Sequence, residues 1–139
     1  MSANASNLDL VRTAFAAFER RDLAGLQERC TTDVRFVSQT ARVGAAGEDY
    51  VGHKGLQYYF RDTESIWETI TLEPEDFREH GADLVIVTGR VRAWGSGRVV
   101  DGSASWLFRV RDGCIAEIRA YDTHAAADEA AAALSVENQ

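Results

Sequence analysis

The feature that most constrains this chain is a change of hydrophobic period near residue 70. Before it, apolar residues recur at three and four: Leu8, Val11, Ala14, Phe15 and Phe18 between Asn7 and Arg21, then Leu23, Leu26 and Cys30 after Asp22. That spacing predicts an amphipathic helix capped by Asn7, followed by a shorter one that Asp22 caps and Thr31, Thr32 and Asp33 end. Val34 to Gln39 alternates as a strand, and the Gly- and Ala-rich stretch from Thr40 to Asp49 reads as a loop. Gly52-His53-Lys54-Gly55 then leads into a third helix whose face is Leu56, Tyr59, Phe60, Thr63, Ile66 and Trp67. Beyond it the period becomes two. Strands are expected at Ile70 to Glu79, Leu84 to Trp94, Val99 to Arg111 and Cys114 to Asp122, with turns at His80-Gly81-Ala82-Asp83 and Gly95-Ser96-Gly97. The alanine-rich tail from Thr123 to Leu134 is a good helix former, capped by Asp122 or Thr123.

Strands joined in order through tight turns pair antiparallel. Helices first and a curled meander second make an α+β domain, with helices covering one sheet face over a cavity. If Ser96 and Gly97 form a two-residue turn, Gly95 pairs with Arg98, and Val87 then faces Trp106. The inner face is then Val85, Val87, Gly89, Val91, Ala104, Trp106, Phe108 and Val110. Arg90, Arg92, Ser103, Ser105, Arg109 and Arg111 fall on the outer face. There the arginines are expected in cross-strand ion pairs or at a subunit interface.

At 139 residues, with 45% apolar residues, the chain fits one domain, 1–139, with a core from about 7 to 134. The net charge of -7 and the lack of a basic stripe speak against nucleic acid. No leader-like or membrane-spanning apolar run is present, so a cytoplasmic location, no membrane partner and free thiols at Cys30 and Cys114 are expected. His53, His80 and His124 share no metal-ligand spacing, and no nucleotide-binding glycine pattern occurs, so neither a metal nor a cofactor is implied.

The element order, Gly52-His53-Lys54-Gly55 before the third helix, Phe108-Arg109-Val110-Arg111-Asp112-Gly113 at the last hairpin and Arg119-Ala120-Tyr121-Asp122 at the end of the last strand together resemble the SnoaL-like group. That group belongs to the nuclear transport factor 2-like superfamily, which includes the ketosteroid isomerases. The resemblance implies a cone-like barrel of strongly bent antiparallel sheet, N-terminal helices closing one end over a hydrophobic pocket, and a homodimer formed through the outer sheet face. Fold alone does not carry the chemistry. At the positions of the ketosteroid isomerases' catalytic groups this chain has Ala14, Ser38 and Trp106 or Ser105. At those of limonene epoxide hydrolase it has Arg90-Val91-Arg92 and Ala120, so both catalytic sets are absent.

What remains is a pocket for a small apolar molecule, lined by Phe15, Phe18, Phe36, Ser38, Tyr59, Trp67, Trp106, Phe108 and Ile118. His53, between glycines, and Asp122, on the inward face with Ile118 and Ala120, form the one acid/base pair the sequence offers. Each has a plainer explanation. His53 also suits a turn, and Asp122 also suits the N-cap of the last helix. Binding of a small apolar ligand is the expected function. The alternatives are acid/base chemistry of the isomerase, cyclase or hydrolase kind on an apolar carbonyl compound or epoxide, and a dimeric assembly module with a self-filled pocket.

Overall fold

A computed structural model describes residues 3–38, 49–95 and 97–137. Helix α1 (Ala3–Glu19) is followed by α2 (Leu23–Glu28), β1 (Cys30–Ser38), β2 (Asp49–Val51), α3 (Gly52–Ile66), β3 (Thr69–His80), β4 (Leu84–Gly95), β5 (Arg98–Arg111), β6 (Cys114–Tyr121) and α4 (His124–Glu137). The six strands form one sheet in the order β2-β1-β6-β5-β4-β3. The sheet is curved but not closed: β2 and β3 are its two edges.

The hairpin register follows the turn chemistry. Gly95 pairs with Arg98 and Val87 with Trp106, and Gly97 and Gly113 take the positive φ that tight turns need. All eight residues expected on the inner face are buried. α1 lies against them: Phe15 is fully buried and meets Trp106 at 4.9 Å, Phe18 at 5.8 Å, Phe77 at 5.9 Å and Phe108 at 6.2 Å between ring centroids, all edge to face. Such contacts contribute beyond the area they bury. α3 buries Gly55, Leu56, Tyr59, Phe60 and Thr63, the stripe its period dictates.

Local chemistry moves several boundaries. α1 begins at Ala3, so Asn7 lies inside the helix, and its side-chain amide donates to the Ala82 carbonyl at 3.0 Å instead of capping. Asp22 does cap α2, accepting from the Gly25 amide at 3.1 Å. Thr31, Thr32 and Asp33 belong to β1, not to a helix end, because β1 pairs with β6 in parallel from Cys30↔Ile115 onward. A parallel partner more than 80 positions away leaves no local turn signature. Asp49 begins β2, and the rest of the expected loop, from Thr40 to residue 48, lies outside the described residues.

The outer face departs most from expectation. Ion pairs do lie there, Arg90–Asp101 at 2.6 Å, Arg111–Asp33 at 2.8 Å, and Arg92–Glu73 and Arg119–Glu117 at 3.3 Å. Ser105, however, is fully buried. The reason is α4, which folds back over Leu84, Ile86, Leu107 and Tyr121 with Ala127, Ala131 and Leu134 as a second apolar cluster. Alanine at the contact lets helix and sheet approach closely, and Arg78–Asp128, at 2.6 Å, ties the helix to β3. α4 thus covers part of the outer face. Among the described residues no helix is long and apolar enough to cross a membrane.

Both cysteines are free, Cys30 buried and Cys114 half-buried. Burial pushes the Cys30 thiol up to about 12, with Cys114 nearby adding to the shift. Since the thiolate is the reactive form, an aromatic disulfide reagent at pH 8 is expected to label Cys114 first and Cys30 only on unfolding. Peptide mapping of the labelled native protein checks this, and rapid native labelling of Cys30 would contradict its burial.

A small cavity under Trp106 as candidate ligand site

A cavity inside the curve of the sheet is lined by Tyr59, Leu72, Val91, Ser103, Ala104, Trp106, Ala120, Tyr121 and Asp122. Its position follows from register. Trp106 faces Ala120, so Asp122, two residues on, returns to the same face at the end of β6. α3 carries Tyr59 over that end, and β3 and β4 supply Leu72 and Val91, which are paired. Its lining residues are apolar except for two tyrosines, a serine, the tryptophan's indole N–H and an aspartate.

Tyr59 is held by aromatic contact on several sides. Its ring stacks on Phe36 at 4.1 Å and meets Tyr50 edge on at 5.3 Å, while Tyr50 donates to Asp62 at 2.9 Å. Burial pushes the Tyr59 phenol above its ordinary range, so it stays a protonated donor at neutral pH. Ser103 donates through Oγ to the Asp122 carbonyl at 2.8 Å, fixing the backbone that carries the carboxylate. Ser103 was not among the site residues read from the sequence. Its outer-face parity hides it, although it is a lining residue of the cavity.

Thr123 provides a cap for α4: its Oγ1 accepts from the Ala126 amide at 3.1 Å. Asp122, one residue before that cap, is among the residues that line the cavity.

His53 lies elsewhere. It sits in the first turn of α3, where its carbonyl accepts from Gln27 Nε2 at 2.8 Å and its Nε2 lies 3.4 Å from the Cys30 carbonyl. Cys30 opens β1, whereas Ala120 pairs with Ser38 at the other end of that strand. Eight residues of strand amount to roughly 25 Å, so His53 and Asp122 are not brought together. His53 docks α3 onto α2 and β1.

Of the other expected pocket residues, Trp106 and Tyr59 line the cavity, while Phe15, Phe18, Phe36, Phe108 and Ile118 pack in the core behind it. Trp67 is buried away from it, under the Arg98 guanidinium at 5.3 Å. Ser38 pairs with Ala120 through its backbone, and its side chain lies outside the described ones. The cavity holds about 20 Å³, room for about one water. Aromatic side chains fill most of the space within the curve.

The fold is reflected in comparisons with known proteins. The SnoaL-like domain family matches residues 11–118. The chain belongs to the SnoaL-like family. It is 33% identical over 126 residues to the uncharacterized protein Rv0034 of Mycobacterium tuberculosis, covering 89% of this chain and 94% of that one. Among solved structures it is similar to an NTF2-like protein of unknown function from Burkholderia pseudomallei, with 25% identity, a TM-score of 0.74 and coverage of 91% and 95% of the two chains. It is also similar in fold to TerC, co-crystallized with polyporic acid, with 22% identity, a TM-score of 0.73 and coverage of 91% and 98%. The SnoaL-like chain is therefore an NTF2-like α+β protein.

Proposed function

We propose that this SnoaL-like protein binds a small, flat, apolar molecule in the cavity under Trp106, with its polar end toward Tyr59 and Asp122. The observation that carries the reading is the composition of that wall. Leu72, Val91, Ala104, Trp106 and Ala120 supply apolar surface, and Tyr59, Ser103, Tyr121 and Asp122 are the polar residues of the lining. Family membership supports a small-molecule-binding or cyclase-type protein, and TerC, similar in fold, has been co-crystallized with polyporic acid. The cavity's 20 Å³ requires the ligand to displace lining side chains on entry. Leu72 is best placed to yield, because it is half-buried on edge strand β3, close to the bulge between Pro74 and Asp76.

A catalytic version of the same reading uses the polar groups among the lining residues. A Tyr59 donor at a carbonyl oxygen and an Asp122 carboxylate beside the neighbouring carbon can together move a proton. His53 has no part in it.

A thermal-shift titration with planar quinones and aromatic ketones tests binding. The wild type is expected to gain several degrees with at least one of them, and Ala120→Leu, which adds carbon to the cavity wall, is expected to gain none. Equal shifts in both proteins would place binding elsewhere. With a ligand found, Asp122→Asn separates the two versions: retained binding with lost turnover supports proton transfer, and unchanged turnover removes Asp122 from the chemistry.

A further inference from the structure

We propose that a charged groove across β1, β6 and β5 is a second small-molecule site, which binds a monocarboxylate through Arg109. The groove has a volume of about 390 Å³, within the range of small-molecule sites, and Asp33, Arg35, Asp83, Arg109, Arg111 and Glu117 are its charged lining residues. It shares no lining residue with the cavity under Trp106.

Strand register assembles these charges. Glu117 on β6 is the partner of Arg35 on β1 and of Arg109 on β5, so an arginine flanks it on each side. The Glu117 carboxylate is buried and already engaged: its Oε2 lies 3.3 Å from Arg119 Nη2 and 3.7 Å from Arg35 Nη1. Arg111 is matched separately by Asp33 at 2.8 Å. Arg109 is the one left over. It is half-buried, its guanidinium is in no ion pair among the described residues, and its Nε is shielded from water without a hydrogen-bond partner. A guanidinium does not neutralise itself by losing a proton, so a partly desolvated one draws in a counter-ion.

The surroundings select the kind of anion. Paired N–H donors of a guanidinium match the two oxygens of a carboxylate. Asp83 and Glu117, in the same lining, oppose a second negative charge, which favours a monocarboxylate over a phosphate dianion. The net charge of -7 repels anions from the chain as a whole, so binding here depends on this local arrangement.

Titration with benzoate, benzamide and inorganic phosphate, followed by nitrogen–proton correlation NMR, tests the proposal. Burial protects the Arg109 Nε proton from exchange with water, so its signal reads the site directly. Benzoate is expected to shift that signal and the Arg109 and Glu117 amides saturably. Benzamide, the same ring without the charge, is expected to leave them in place, and phosphate to bind more weakly than benzoate. Arg109→Gln is expected to keep the wild-type melting temperature and to lose about tenfold or more in benzoate affinity. Asp83→Asn, which removes a repelling charge, is expected to tighten binding severalfold. Arg90→Gln removes the same charge as Arg109→Gln further along the sheet, where Arg90 pairs with Asp101, and is expected to bind benzoate like the wild type. No saturable shift at Arg109 would overturn the proposal, as would benzoate affinity unchanged in Arg109→Gln or weakened in Asp83→Asn. Equal loss in Arg90→Gln, or a preference for benzamide or phosphate, would also overturn it.

Discussion

Phe15→Ala is expected to lower the unfolding free energy by about 3–5 kcal/mol, enough to leave the protein partly unfolded at physiological temperature. Phe15 is fully buried and its ring meets four others edge to face, on α1, β3 and β5. Truncation loses the transfer free energy of the ring and leaves a hole that residues on three separate elements cannot all move to fill. Urea denaturation followed by far-ultraviolet circular dichroism reads the effect. Because the hole opens beside Trp106, the same variant is expected to bind benzene-sized molecules that the wild type excludes. A loss below about 1 kcal/mol would mean that the aromatic cluster is looser than these contacts describe.

Gly89→Ala is expected to cost about 3 kcal/mol or more, with the damage concentrated in β3. A Cβ at position 89 would overlap the backbone carbonyl of Glu73 and approach the Pro74 Cα to 2.9 Å. Backbone atoms cannot step aside as a side chain can. The strand pair must separate where Pro74 faces Gly89, next to the bulge that precedes Asp76. Hydrogen exchange is expected to accelerate from Thr69 to His80 well before β5 and β6 are affected. Leu72 moves with that strand, so the cavity under Trp106 is expected to open as well. Unchanged protection in β3 would contradict the close approach.

The sequence made much of the sheet readable, for reasons these residues make plain. Reading Ser96 and Gly97 as a two-residue turn set the pairing of β4 with β5, Gly95 with Arg98, and every side chain on the inner face followed from it. The parallel pairing of β1 with β6 was hidden, because no connecting turn marks it and Thr31-Thr32-Asp33 also suits a helix end. A signal for the position of α4 was present but ambiguous. Leu84-Val85-Ile86-Val87 is a continuous apolar run, which marks a strand buried on both faces, and the alternation of inner and outer residues passed over it.

The site divides in the same way. Tyr59, Trp106 and Asp122 were legible because helix and strand periods fix the face on which each lies. His53 was misleading: histidine between glycines suits a catalytic loop, but here those glycines start a helix at the far end of β1 from Asp122. The assignment of the α4 cap to Thr123 depends on one hydrogen bond, and both Asp122 and Thr123 were chemically eligible for it. The stacking of Tyr59 on Phe36 beside the cavity is encoded by no linear pattern.

Native mass spectrometry of the freshly purified protein tests the central claim, that the cavity under Trp106 is a ligand site, most directly. The account predicts an additional mass of a few hundred daltons on a fraction of the molecules, lost in Ala120→Leu and retained in Asp122→Asn. A bound mass that persists in Ala120→Leu would contradict it. Absence of any adduct, together with no thermal shift from the planar ligands, would also contradict it and leave the cone as a core filled by its own aromatic side chains.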